Sequence, residues 1–416
     1  MGHYSAEHLV YSAEGGDCEA IEAIISAGVD VDERDDLGRT ALMVASSRGN
    51  AEAVRLLLES GADADIADED GDTALMRASM EGRAEAVDLL LARHPNLDAK
   101  DRYGFTALAR AAMMGHDEIV RKLLIHGANI DSADGSGRTA LTWSSLRNHL
   151  NVVQTLLTAG AEVDAPGERG CTALMESAFR GHPEVMELLL DAGADLDRTD
   201  CDGLTALSLA LRKSQATTAA LLASRGADLD RMDCFGRTPL MWAAGLGLTG
   251  AAKLLLDTGA EVDLSKTRDG CTPLMEACRK GHASLVDMLV SRGADVNQRT
   301  LHGFTALIFS AFGGSAVLAL SRGGGSLEVR TSSEQIRQAA LLIRSGADVN
   351  AATQDGLTAL MVACAEGHLR LVELLLRSGA DTDARSKRGR TALDMAREEN
   401  HRDIIELLEA RLSKSA

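Results

Sequence analysis

Aromatic side chains are scarce in this chain of 416 residues: two Trp, three Tyr and six Phe make up 3% of it. That supply does not suit one thick globular core; with abundant Ala and Leu it suits thin, regular layers. Apolar runs are short too, and none approaches the roughly 18 to 20 residues needed to cross a bilayer, so no membrane segment is expected. The first residues, MGHYSAEHLVYSAEGG, lack a basic stretch followed by an apolar one, which argues against a secretory leader. Myristoylation is disfavoured because Ala6 stands where the pattern needs Ser or Thr. The seven cysteines are an odd number, scattered without close pairs. Cys201 and Cys234 occupy equivalent turns in consecutive repeats, and stacked helices about 8 to 10 Å apart exceed the roughly 7 Å Cα limit of a disulfide. Reduced thiols in the cytoplasm are therefore expected. Basic residues are also in deficit, 43 against 62 acidic, for a net charge of −19. Nucleic acid demands a basic stripe, and none is present.

What the chain has in plenty is repetition. The pentapeptide Gly-x-Thr-Ala/Pro-Leu occurs eleven times, with its Thr at 40, 73, 106, 139, 172, 205, 238, 272, 305, 358 and 391. A nearly constant period of 33 residues means one supersecondary unit stacked on copies of itself. Within residues 35–67 the pieces read directly. Thr40 is a good N-cap, and Pro239 and Pro273 stand at the first helical position of two other copies, where proline is tolerated. A short first helix carries Leu42 and Ala45 and stops at Gly49, replaced by Asn148 and Asn400 elsewhere, as a left-handed terminus requires. Val54, Leu57 and Leu58 give a second amphipathic helix ending at Gly61. The Asp- and Gly-rich link after it signals a turn. A unit this small cannot bury enough apolar surface to fold alone, so each leans on its neighbours.

The run DxxGxTALMxAxxxGxxxxVxxLLxxGAD resembles the ankyrin repeat, with Thr-Ala-Leu-Met in most places where that family has Thr-Pro-Leu-His. The resemblance implies an all-α solenoid of helix-turn-helix units whose links form β-hairpin fingers. It covers nearly all of the chain as a single domain, residues 1–416. A degenerate N-terminal cap spans 1–34, with Leu9, Gly16, Ile21 and Gly28 in phase with later repeats; ten internal repeats span 35–385; a C-terminal cap spans 386–416. Thr305 and Thr358 lie 53 residues apart, which places a 20-residue insertion near 315–334 between the helices of one unit. Its three glycines read as a flexible loop. It lacks the Gly-Lys-Ser/Thr ending of a phosphate-binding loop and follows a helix, so phosphate binding is not expected. A surface insertion and a partner-contacting arm both remain open. Smaller defects, an extra residue around Ser265 to Thr267 and His94-Pro95-Asn96 for Gly-Ala-Asp, should bend a finger only locally.

Catalysis finds no foothold. Six histidines recur at one repeat position, His116, His149, His182, His282, His368 and His401, which marks a structural device. Nothing resembles a zinc set, a nucleophile elbow or a dinucleotide turn, and the spacing Asp65, Asp68, Asp70, Gly71 departs from a calcium loop and lacks its final Glu. No enzyme activity, cofactor or metal is expected. Asp pairs such as Asp63/Asp65, Asp195/Asp197, Asp228/Asp230 and Asp381/Asp383 satisfy turn backbone or form an acidic ridge for a basic partner.

The remaining candidates are large residues at variable positions. Two residues beyond the framework Leu the chain reads Val44, Arg77, Arg110, Trp143, Glu176, Leu209, Trp242, Glu276, Phe309, Val362 and Met395, so both tryptophans fall in one column. Tyr103, Phe105, Phe235 and Phe304 flank the turn glycine. The family resemblance implies a concave groove of finger tips and first helices that binds proteins. Arg77, Tyr103, Phe105, Arg110, Trp143, Phe235, Trp242 and Phe304 are then the candidate contacts, since Trp, Tyr and Arg dominate binding energies. For Trp143 and Trp242, packing between adjacent first helices is an equal alternative. The expected protein is a monomeric, noncatalytic interaction scaffold; the alternative is a regulatory or host-directed effector that inhibits or sequesters an enzyme.

Overall fold

Every Gly-x-Thr turn opens a helix in the computed structural model, which describes residues 5–265, 267, 269–312 and 333–415. The Thr hydroxyl accepts the backbone N–H three residues on, at 3.2 to 3.4 Å in all eleven copies. Each cap satisfies one of the orphan amides at a helix start, worth about 1 kcal/mol. The first helices end where the sequence places a left-handed residue: Gly49, Gly115 and Gly181 have φ of 73°, 83° and 80°, and Asn148 and Asn400 take φ of 63° and 59° in the same role. His94 also turns left-handed, at φ 52°, in the aberrant tripeptide.

The chain falls into two compact units, Met1–Cys201 and Asp202–Ala416. The first contains α1 (Ala6–Gly15), α2 (Cys18–Ser26), α3 (Ala41–Arg48), α4 (Ala51–Glu59), α5 (Ala74–Met80) and α6 (Ala84–Leu91). It continues with α7 (Ala107–Met114), α8 (Asp117–Ile125), α9 (Ala140–Leu146), α10 (Leu150–Thr158), α11 (Ala173–Arg180) and α12 (Pro183–Asp191). The second contains α13 (Ala206–Arg212), α14 (Ala216–Ser224), α15 (Pro239–Leu246), α16 (Thr249–Thr258), α17 (Pro273–Lys280) and α18 (Ala283–Ser291). After these come α19 (Ala306–Phe312), α20 (Ser333–Arg344), α21 (Ala359–Ala365), α22 (Leu369–Arg377), α23 (Ala392–Glu398) and α24 (Arg402–Ser415). The insertion expected near 315–334 falls almost wholly on 313–332, outside the described residues.

Within each unit the odd-numbered first helices stack on one another, and each even-numbered helix packs against its own partner and the next even one. The framework leucines Leu42, Leu75, Leu108, Leu141 and Leu174 are at most 1% exposed. Burying each contributes about 1.5 to 3 kcal/mol, and the Ala beside them lets the layers approach closely. Leu9 and Ile21 are fully buried in α1 and α2, and Gly16 and Gly28 have positive φ, in the phase read from the sequence.

The fingers are shorter than the hairpins expected. Among the described residues no regular strand forms, and the pairing reduces to isolated antiparallel bridges, Ala67 with Thr73 and Ala352 with Thr358. Asp68 N–H bonds to Asp72 carbonyl at 3.1 Å and Gly71 N–H to Asp68 carbonyl at 3.0 Å, so the link closes within five residues and leaves no length for a ladder. Successive tips join instead by a single bond, Arg102 N–H to Asp70 carbonyl (2.9 Å) and Gly135 N–H to Tyr103 carbonyl (2.7 Å), with Leu301 to Asp269 (2.7 Å) in the second unit.

The recurrent histidines are structural. Nε2 of His116 meets the Met80 carbonyl at 3.0 Å, and His149 and His401 reach Met113 and Ala365 at the same distance, tying one repeat to the last turn of the preceding first helix. His368 differs, being 1% exposed; burial, aided by the nearby His401, pushes its pKa down. Burial also lowers His182, against its bond to Leu146. A histidine held neutral by the fold is protonated first in the unfolded chain, so its contribution is complete above the unfolded pKa near ~6.5 and is lost as pH falls through the folded value. Urea midpoints read from Trp242 fluorescence should drop between pH 8 and pH 5.5, by at most about 1.4 kcal/mol per pH unit from one group. His368→Asn should narrow that drop; an unchanged drop would remove His368 from the account.

Candidate functional site

The variable column of the first helices is tied to its own finger. Arg77 reaches Asp68 through Nε at 3.1 Å and through Nη2, and Arg110 Nη2 reaches Asp101. Trp143 Nε1–H donates to Asp134 at 2.9 Å; in the second unit Trp242 Nε1–H donates to Asp233 at 3.2 Å. Every one of these pairs spans nine residues. The other carboxylate oxygen accepts finger amides: Asp101 takes Tyr103 N–H at 2.8 Å and Phe105 N–H at 2.9 Å, and Asp134 and Asp233 do the same for their own turns. The choice for the tryptophans between inter-helix packing and partner contact thus gains a third term, an indole that fixes the finger to the first helix. Buried Asp72 lies 3.6 Å from Arg77 and 3.7 Å from Arg110; burial raises its pKa although both guanidiniums oppose that.

In the first unit the predicted residues form a chain of rings and charges. The Arg110 guanidinium lies 4.5 Å from the Phe105 centroid, Phe105 is 5.4 Å from Trp143, and Arg138 lies 5.1 Å over Trp143. Arg138 is neutralised by Glu168 at 2.7 Å and Glu176 at 3.1 Å. Tyr103 stands at the finger tip, 55% exposed, with Arg102 4.8 Å from its ring.

In the second unit Phe235 takes the same tip position, 53% exposed, and opens a cleft of about 520 Å³. Phe304 forms a wall with Phe309 at 5.3 Å and Phe312 at 6.0 Å, and Arg237, Glu276 and Arg279 also line the space. Arg237 lies between rings, 5.5 Å from Phe235 and 5.0 Å from Trp242. Of the eight candidate contacts, Phe235 and Phe304 line this cleft and Trp242 abuts it through Arg237, while Arg77, Phe105, Arg110 and Trp143 form the ladder of the first unit and Tyr103 caps its finger. Sequence reasoning missed the carboxylates Asp68, Asp101, Asp134 and Asp233, and also Arg237 and Phe312.

The periodic acid proves to be stitching. Asp32 accepts Asp63 N–H (3.0 Å), Asp98 accepts Asn129 N–H (2.9 Å) and Asp263 accepts Asp295 N–H (2.9 Å), each from the next repeat. Asn297 and Asn350 do the same for Asp348 and Asp381 at 2.8 Å. Burial raises the pKa of Asp32, Asp230 and Asp263 against these bonds. Cys278 and Cys364 sit in the core, where burial pushes both thiols up, Cys364 to about 12. Among the described residues no cluster of His, Cys, Asp or Glu is gathered that could hold a metal ion, and no helix is long and apolar enough to cross a membrane.

The family model described as ankyrin repeats (3 copies) matches residues 9–101, 93–167, 163–233, 225–300, 252–323 and 329–414. Among solved structures, the crystal structure of the human ASB11 ankyrin repeat domain is 28% identical, with 53% of this chain and 98% of that chain covered and a TM-score of 0.48.

Proposed function

The chain belongs to the ankyrin-repeat family, whose members are generally protein-interaction scaffolds, and on that premise we propose that it is a noncatalytic scaffold in the cytoplasm. It binds a partner protein through finger tips and first-helix residues in each unit. The observation that carries this reading is the repeated placement of a large ring at an exposed tip, Tyr103 in the first unit and Phe235 in the second, beside supporting rings and guanidiniums. Exposed rings in a chain so poor in them resemble the anchors that dominate protein interfaces. Partner charge divides by range: the net charge of −19 favours a basic protein during approach, whereas the rings select at contact. Seven free cysteines, several deep in the core, support a reducing compartment.

Tyr103→Ala with Phe235→Ala should leave the fold intact, because both rings are more than half exposed, and should lower retention of a stoichiometric partner from cell extract by about tenfold. Quantitative affinity capture beside the unaltered protein checks this. Equal retention by the double variant would refute the assignment of the tips.

A further inference from the structure

The cleft of the second unit holds a charge that no described residue answers. Arginine immediately precedes the framework Thr in four repeats, and three of these are neutralised: Arg39 by Asp35 at 2.7 Å, Arg138 by Glu168 and Glu176, Arg390 by Glu398 at 2.5 Å. The fourth is Arg237. Its guanidinium lies over the faces of Phe235 and Trp242 and has no ion-pair partner among the described residues. The reason lies one repeat on. Glu276 holds the column position of Glu176, but Arg279 binds it, through Nε at 2.7 Å and through Nη2, where the first unit has Phe179. Arg279 thus takes the carboxylate that the pattern of Arg138 would have given to Arg237. Asp269 also borders the cleft, but it is exposed at the next finger's tip.

What remains is an unanswered guanidinium at the mouth of a cavity walled by Phe304, Phe309 and Phe312. Its 520 Å³ lies within the roughly 300 to 1,000 Å³ of ordinary ligand sites. We propose that this cleft receives a partner segment in which a carboxylate flanks a large apolar side chain: the apolar group enters against the phenylalanines and the carboxylate pairs with Arg237. The local demand is opposite in sign to the net charge, so it selects at contact and does not steer from a distance. This rests on the scaffold reading above and names the chemistry of one of its contacts.

Fluorescence polarisation with the full chain tests it, using fluorescein-labelled Ser-Gly-Glu-Phe-Gly-Ser, the same peptide with Lys for Glu, and the same with Ala for Phe. The Glu-Phe peptide should bind about tenfold more tightly than the other two, the effect of one desolvated ion pair or one lost anchor. Arg237→Gln, which keeps a planar group beside the rings, should erase the preference for Glu over Lys, and Arg237→Glu should reverse it. An unchanged thermal transition followed by tryptophan fluorescence shows that these variants are folded, and Arg237→Lys, which keeps the charge, should keep the preference. No binding by any peptide, equal binding of the Glu and Lys peptides, or a preference that survives in Arg237→Gln overturns the proposal. Loss of partner capture in Tyr103→Ala with Phe235→Ala, but none in Arg237→Gln, would sink this inference alone and leave the scaffold standing.

Discussion

Gly104→Ala is expected to destabilise the first unit by about 3 kcal/mol, and Gly127→Ala by only about 1. Both glycines have positive φ, 85° and 92°, so the backbone strain imposed on an alanine is nearly the same. Their surroundings differ completely. A Cβ on Gly127 meets nothing within 4 Å, whereas on Gly104 it would stand 2.5 Å from the Gly135 nitrogen and 2.9 Å from the Asp134 carbonyl carbon. Those are backbone atoms and cannot rotate away. The neighbouring finger must shift, which breaks the 2.7 Å bond from Gly135 to Tyr103 and disturbs Asp134, which holds Trp143. Strain of roughly 1 to 2 kcal/mol is common to the two; a lost bond and disturbed carboxylate add about 1 each to Gly104. Trp143 is the only tryptophan of its unit, so its fluorescence in a Trp242→Phe background reports the loss in urea. Midpoints give the ranking even where unfolding of a repeat stack departs from two states. Equal losses at the two glycines would show that the contact between tips contributes nothing.

Thr40, Gly49 and Leu42 were legible in the sequence because each acts over a few residues and plays the same part in every repeat. Capping, left-handed termini and burial are local rules, and the period multiplies their signal. The histidines were legible for the same reason, although His368 departs from its column by being buried. Tyr103 and Phe235 were legible as large rings at the turn. The column holding Arg77, Arg110, Trp143 and Trp242 is only half legible, because variation from repeat to repeat does not separate freedom to meet a partner from a bond to the finger. The signal that corrects this lies nine residues upstream. Where the column offers an N–H donor the finger begins with Asp, at Asp68, Asp101, Asp134 and Asp233. Where it offers none the finger mostly begins with a hydroxyl, as in Thr300 with Phe309, Thr353 with Val362 and Ser386 with Met395. Three columns depart from this: Asp200 with Leu209, Gly167 with Glu176, and Asp35 with Val44, where Arg39 takes the carboxylate. The cleft could not be read at all. It depends on Phe312 meeting Phe304 in space and on which of two arginines reaches Glu276.

That pairing yields the second large effect. Asp101→Thr alone should cost about 3 kcal/mol, because the Arg110 guanidinium, 16% exposed, loses its nearer carboxylate and keeps only Asp72, at 3.7 Å. Thr can still accept one finger amide, as Thr353 does from Leu357 at 3.1 Å, but it offers nothing to Arg110. Arg110→Val alone should cost about 2 kcal/mol: it leaves the Asp101 carboxylate, 1% exposed, with only its two amides, and removes the guanidinium from the Phe105 face. If the two residues acted independently the losses would sum to about 5 kcal/mol. The double variant instead recreates the pairing of Thr353 with Val362 and should cost only about 2, a coupling of about 3 kcal/mol. Urea midpoints of the four proteins, read from Trp143, measure it, and an additive double variant would mean that the nine-residue pairing in this chain has no energetic basis. The same variant separates the two roles of Arg110. With the finger restored and the guanidinium gone, weaker partner retention reports contact, whereas full retention assigns Arg110 to the finger alone.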